Sequence, residues 1–357
     1  MNTNFLNITS LLFSTFLYVF ITVFVAITLF ILLYLWIISL RAKQEAKWRS
    51  AVSSLLEEVI FYEPLESIII PLAVNMLLNK KSFRCFIAAE IIKIKRSLSG
   101  DAGANLVRLY KALNLDKDVL RKLSNPKWHV KAQAVKEMAA MEQKQYTKNI
   151  FRLTNNPHDL LRIETQCALV DLYGFAGLRF LNVTLRPLSE WQQLLLLQKL
   201  PVILSEDHSS VIKWLASRES TITIFALRLI SHFKCYQLHS TVVALLDHDA
   251  PEVRCEAVKC LQQIFMEETS QELLNHCRTG HKEFELLLIA SLKGDKPDIE
   301  GAYLVTQLNH SDDDIKFAAA KALSFILPGH NMLSRYRSAE MPQPKKLITQ
   351  FKSEQAA

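Results

Sequence analysis

Residues 246–261 read LDHDAPEVRCEAVKCL. A leucine and a polar turn come first. Pro251 then suits the opening position of a helix, where its missing N–H costs nothing. Val253, Ala257 and Leu261 follow at four-residue spacing, which places them on one helical face. A small residue between two larger aliphatic ones lets a second helix approach closely.

The same grammar recurs at 123–138 (LSNPKWHVKAQAVKEM), 153–169 (LTNNPHDLLRIETQCAL), 215–230 (LASRESTITIFALRLI) and 308–323 (LNHSDDDIKFAAAKAL). Taking the aliphatic residue that opens each helix as anchor gives Val130, Leu161, Ile222, Val253 and Ile315, separated by 31, 61, 31 and 62 residues. These are one or two units of about 31, the signature of tandem structural repeats. Four residues past each anchor stands Ala134, Thr165, Ala226, Ala257 or Ala319, and eight past it Met138, Leu169, Ile230, Leu261 or Leu323. The arithmetic places two further, degenerate units near residues 192 and 284, where WQQLLLLQKL (191–200) and FELLLIASL (284–292) can form helices. About seven units then cover 121–327. A lone helix pair cannot hide its apolar face, but stacked pairs share a continuous core.

Residues 247–261 resemble a short HEAT repeat of the kind found in bacterial HEAT-like proteins and phycobilin lyases, through Pro251, Val253, Arg254, Ala257 and Leu261. Residues 125–138 match the same pattern with Pro126, Val130, Lys131, Ala134 and Met138. The chain is also similar to bacterial membrane-anchored HEAT-repeat proteins. The resemblance implies an all-α fold, an α-solenoid of about seven helical hairpins, and a binding role. It implies no chemistry, because a fold does not carry function.

Composition agrees with an all-helical reading. Glycine occurs only 8 times in 357 residues, well below the usual ~7%, whereas sheet-rich and nucleotide-binding folds need it for turns and phosphate loops. The formal charge of +7 is too modest to imply nucleic acid by itself, and no nucleic-acid partner is expected. The six cysteines form no CxxC pair and fall mostly in apolar stripes, which fits a reducing compartment.

Residues 11–40 carry no Asp, Glu, Lys or Arg, and about 20 apolar residues already span a bilayer core. The run is too long for a signal-peptide core and lacks a basic segment before it, so an uncleaved anchor is expected. Arg41, Lys43, Lys47 and Arg49 follow it directly, while residues 1–10 bear no charged side chain. The positive-inside rule then predicts a short extracytoplasmic tail (1–10), a transmembrane helix (11–40) and a cytoplasmic remainder, and the resemblance to bacterial proteins implies that the membrane is a bacterial inner membrane. Residues 41–120 read as a basic juxtamembrane helical region. Within it Ile68–Leu78 is expected to be a buried helix, and Lys80, Lys81 and Arg84 join the cations after the span as candidates for contact with anionic lipid. Residues 328–357 read as a flexible basic tail.

No phosphate loop, dinucleotide fingerprint or nucleophile elbow is present. His276, Cys277 and His281 are too few for a tetrahedral metal set and read as a turn. Asp312, Asp313 and Asp314 read as a helix cap, and Glu57, Glu58, Glu63 and Glu66 as a solvated face. The expectation is a non-enzyme with no cofactor and no metal: a membrane-anchored scaffold whose partner is a protein, such as a membrane enzyme or transport complex. Trp128, Arg162 and Arg254 are the candidate anchors for it, although the turn arginines could instead bind neighbouring acids inside the stack. An accessory subunit of a membrane glycosyltransferase, a tetrapyrrole lyase and a nucleic-acid binder are the other readings.

Overall fold

A computed structural model describes residues 2–61, 70–98, 100–200, 208–276, 281–292, 294 and 296–326. Every regular element among them is helical. Glu63, Glu66, Cys277 and the tail at 328–357 lie outside the described residues. The chain divides into two compact units, Met1–Gln143 and Lys144–Ala357.

The first unit contains α1 (Asn2–Phe61), α2 (Leu72–Leu77), α3 (Lys81–Lys95), α4 (Gly100–Ala112), α5 (Leu115–Leu123) and α6 (Trp128–Ala140). α1 is a single helix that is long and apolar enough to cross a membrane. Every side chain from Phe16 to Lys47 is exposed. The hydroxyls of Thr22 and Thr28 donate to the carbonyls of Val19 and Phe24 in their own helix, at 2.8 and 2.9 Å, so neither polar group is left unsatisfied on an apolar surface. The environment changes at Trp48, whose ring meets Phe83 and Phe86 of α3 at 5.6 and 5.5 Å. Val52, Leu55 and Val59 then enter the core with Phe83, Ile87, Ile91, Leu106 and Leu109. The apolar helix therefore runs without a break into the packed interior of the unit.

α2 has six residues, with Val74 buried but Leu72 and Met76 exposed. Of the buried helix expected across Ile68–Leu78, Ile68 and Ile69 lie outside the described residues, and in the described part Pro71 precedes a six-residue helix that buries only Val74. The first compact unit, ending at Gln143, includes α5 and α6. Polar links join α5 and α6 to each other and to α3 and α4. Tyr110 of α4 donates to Glu137 of α6 at 2.7 Å, Lys122 of α5 pairs with the same carboxylate at 2.6 Å, and Arg84 of α3 pairs with Asp118 of α5.

The second unit contains α7 (Thr147–Phe151), α8 (Asp159–Tyr173), α9 (Glu190–Lys199), α10 (Ser209–Leu215), α11 (Ser220–Phe233), α12 (His239–Val243), α13 (Pro251–Gln263), α14 (Thr269–Asn275), α15 (Lys282–Ser291), α16 (Pro297–Gln307) and α17 (Asp313–Ile326). A 3-10 stretch, Gly174–Val183, follows α8 and folds back onto it. Gly177 is required there: a Cβ at this position would sit 2.3 Å from the carbonyl oxygen of Leu169. α8 packs on α9, α9 on α11, α11 on α13, α13 on α15 and α15 on α17, and a core of Ile289, Leu304, Leu308, Ile315, Ala319 and Leu323 fills the last of these layers.

The repeat positions behave as one class. The residues four past the anchors, Ala134, Thr165, Ala226, Ala257 and Ala319, are all fully buried, and those eight past are buried too. Thr165 keeps its hydroxyl satisfied by donating to Leu161 O at 2.6 Å. The two degenerate units contribute α9 and α15, with Leu196 and Leu288 fully buried.

Candidate interaction surfaces

Each recognisable repeat opens with the same local bond. Five residues before the anchor, a side-chain acceptor takes the backbone N–H two residues further on. Lys127 N donates to Asn125 Oδ1 at 2.9 Å and His158 N to Asn156 Oδ1 at 3.0 Å. Glu219 N donates to Ser217 Oγ at 3.2 Å. Ala250 N donates to His248 Nδ1 at 3.1 Å, and Asp312 N to His310 Nδ1 at 3.0 Å. Asn, Ser and His reproduce one turn because each offers an acceptor at the right reach. For the two histidines this assigns the proton to Nε2.

In three of these repeats the residue after the anchor also reaches the turn from the helix side. Arg162 Nη1 donates to Asn156 O at 3.0 Å, and Arg254 Nη1 to His248 O at 2.8 Å. Thr223 Oγ1 approaches Ser217 O at 3.5 Å. Arg162 is only 7% exposed and also pairs with Asp159 at 2.8 Å. Arg254 lies over the ring of Phe284 at 6.0 Å. Both arginines thus donate to carbonyls of their own turns, while the buried Nε of Arg254 meets no acceptor among the described residues. Recurrence at one repeat position was the available signal for a shared structural job. Trp128 is different: it stands at the start of α6, 39% exposed, with its ring edge-on to His129 at 5.7 Å.

The basic candidates also divide. Arg41, Lys43 and Lys47 are exposed on α1 just past the apolar run, and Lys80 and Lys81 are exposed at the start of α3. Arg49 is exposed but pairs with Glu90 at 2.6 Å. Arg84 faces inward, bonding Asp118 and donating to Asn114 O at 2.7 Å.

Apolar surface that the pattern did not single out lies on α9 and around α8. Trp191 is 66% exposed and Leu194, one turn on, 54%. Leu185 is 82% exposed and Val183 and Leu160 are exposed as well. Their backbone is fixed: Asn155 donates from Nδ2 to Val183 O at 2.7 Å and accepts Leu185 N at Oδ1 at 3.1 Å. The opposite face of α9 is locked by buried amides. Gln192 donates to Gln166, which donates to Thr154 O at 2.9 Å, and Gln193 donates to Leu188 O at 3.3 Å. These glutamines stand where the other repeats put an aliphatic anchor, and they are what makes the unit look degenerate in sequence.

The acidic groups have structural partners. Asp312 Oδ1 accepts Asp314 N at 2.9 Å and so caps α17. Lys282 pairs with Asp312 at 2.9 Å and with Asp314, and the ammonium holds the Asp312 carboxyl below its usual range. Glu57 and Glu58 are exposed. Among the described residues no group of three or more His, Cys, Asp or Glu is placed to hold a metal ion. His276 sits in the turn after α14 with Asp247 3.4 Å from Nε2. Cys167, Cys235, Cys255 and Cys260 are buried free thiols and Cys85 is exposed. Burial, reinforced by Glu256, pushes the Cys260 thiol up to about 12.

No family model matches the chain, and no curated protein matches it. Two crystal structures, each described as an engineered protein, are similar at 15% identity. One gives a TM-score of 0.33 over 78% of this chain and 80% of the other. The second gives 0.28 over 67% of this chain and 96% of the other.

Proposed function

We propose that the chain is a membrane-anchored protein-binding scaffold. In this reading the helix pairs form an α-solenoid of about seven HEAT-like hairpins, and α1 holds them at the cytoplasmic face of a bacterial inner membrane with its N-terminus outside. The observation that carries the binding role is the exposure of Trp191 and Leu194 on a helix whose other face is rigidly held by buried glutamine bonds. Large aromatic side chains on pre-organised backbone lose little entropy on binding and are the usual energetic anchors of protein interfaces. Trp128, also exposed at a helix start, is a second candidate anchor.

The anchor reading is supported by the exposed apolar length of α1 and by its unbroken continuation into the core at Val52 and Leu55. The cations just past Leu40 outnumber the local acid, Glu45, and favour the cytoplasmic side for everything that follows.

A photo-crosslinking residue placed at Trp191 in cells tests the binding role. A discrete adduct at 191 and none at the exposed repeat position 259 is expected. Adducts absent at both, or equal at both, contradict it. Orientation is read from Cys85 in a Cys277→Ser chain: a membrane-impermeant maleimide should label it only after the membrane is opened.

A further inference from the structure

Within the first unit, α3, α5 and α6 border an open cavity of about 470 Å³. Four cations, Lys81, Arg84, Arg121 and Lys122, line it against two carboxylates, Asp118 and Glu137. The carboxylates are already committed: Asp118 to Arg84 and Arg121, and Glu137 to Lys122 and Tyr110. Two positive charges are therefore in surplus. Arg84 and Lys122 are held in place by their pairs, so they present fixed charge toward the cavity. Arg121 is loosely held, with a 79% exposed side chain and a single 3.1 Å contact to Asp118. An exposed pair of this kind contributes little and can open at small cost. Lys81 carries no ion pair among the described residues. Asn125 accepts Lys127 N through Oδ1, which leaves its amide Nδ2 as a neutral donor on the same wall.

A pocket with fixed guanidinium and ammonium groups, a mobile arginine and an amide donor has the chemistry of phosphate recognition. Charge-assisted bonds from Arg and Lys to phosphate oxygens are the strong kind. We propose that this cavity binds a phosphate-bearing anion, with Lys81 and Arg121 closing on it and Arg84 and Lys122 fixing the field.

The position of the cavity favours a lipid headgroup as the source. α3 begins beside Trp48, whose ring packs on Phe83. Trp48 is eight residues past Leu40, the last residue of the apolar run, or roughly 12 Å along a helix. That is close to the ~8–10 Å over which an anionic surface acts at moderate salt. The lipid source rests on the reading of α1 as a membrane span; the anion site itself does not.

Isothermal titration of the full chain in non-ionic detergent tests this without any assumption about topology. The probes are dihexanoyl phosphatidylglycerol, glycerol 3-phosphate and, as the zwitterionic control, dihexanoyl phosphatidylcholine. A net-anionic probe should bind, with affinity that falls as salt rises, and the Lys81→Gln/Arg121→Gln chain should bind it at least tenfold more weakly. Both side chains are at the surface; Arg121→Gln removes only the exposed 3.1 Å contact to Asp118, and Arg84–Asp118 and Lys122–Glu137 keep both partners, so a nearly unchanged melting curve is expected. Binding of phosphatidylglycerol but not glycerol 3-phosphate assigns a lipid, and binding of glycerol 3-phosphate assigns a soluble phosphate ester. The proposal is overturned if neither anion binds, if phosphatidylcholine binds equally, or if the double variant keeps full affinity.

Discussion

Arg228 of α11 donates from Nε to the Glu256 carboxylate of α13 at 3.0 Å. The same guanidinium reaches back to α9, donating to Gln193 at 3.0 Å and to Glu190 at 3.3 Å. One side chain thus ties three successive repeat helices, using the planar fork that a lysine lacks.

Replacing Arg228 with Met should lower the unfolding free energy by about 1–3 kcal/mol, because Glu256 and the buried Gln193 lose a charged donor without gaining another. Arg228→Lys should recover only part of the loss, since one ammonium cannot serve both neighbouring helices. Urea titration of the three proteins checks the order wild type, Lys, Met.

Ala226 and Ala257 are fully buried where neighbouring helices approach. Enlarging either to Leu should cost about 1–3 kcal/mol by overpacking. Lys259→Ala on the exposed face of α13 should stay within about 0.5 kcal/mol of wild type. Equal effects at 257 and 259 would mean that the helix face is wrongly assigned.

His239 Nε2 meets Thr269 Oγ1 at 2.8 Å, and that oxygen already accepts Met266 N at 2.8 Å. The hydroxyl proton is therefore available to a neutral imidazole. Burial holds the His239 pKa below its ordinary value, against the opposing pull of Glu268 and Glu272. The unfolded chain thus binds the proton more readily than the folded one. The stabilising contribution of neutral His239 is complete above the unfolded value of about 6.5 and is lost as pH falls toward the lower folded value. Melting temperature should drop on acidification through this window, and the drop should be smaller in His239→Asn.

In a Cys277→Ser chain, native labelling with a maleimide at pH 8 should modify Cys85 fast and the other four thiols slowly. Cys167, Cys235, Cys255 and Cys260 are buried, and burial also raises the thiol pKa of Cys235, Cys255 and Cys260, so little thiolate is present to react. Mass mapping of the labelled sites in native and in urea-unfolded protein makes the comparison.

The long apolar helix and the repeat positions were legible in the sequence because they rest on periodicity and on side-chain size. Ala226, Ala257 and Ala319 could be placed in the core from spacing alone. The turns were legible as polar but not as one bond, since Asn125, Ser217 and His248 differ in chemistry and share only acceptor reach. Arg162 and Arg254 looked like surface anchors because arginine usually is exposed; their bonds to turn carbonyls depend on backbone geometry that no spacing displays. Trp191 was read as part of a repeat helix, but the side of that helix that faces outward depends on Gln192 and Gln193 being buried. Two adjacent glutamines carry no such signal until Gln166 and Leu188 are seen opposite them. The grouping of α5 and α6 with α3 and α4 rests on Tyr110–Glu137 and Arg84–Asp118, whose partners lie 27 and 34 residues apart.

Deleting residues 217–247 tests the tandem account most directly. Ser217 and His248 occupy the same repeat position, so the deletion removes one 31-residue unit and joins equivalent turns. The shortened chain should keep its helicity per residue and melt cooperatively, whereas removing 217–232 should not allow this. Loss of helicity and aggregation in both deletions alike would contradict the claim that the helix pairs are interchangeable units.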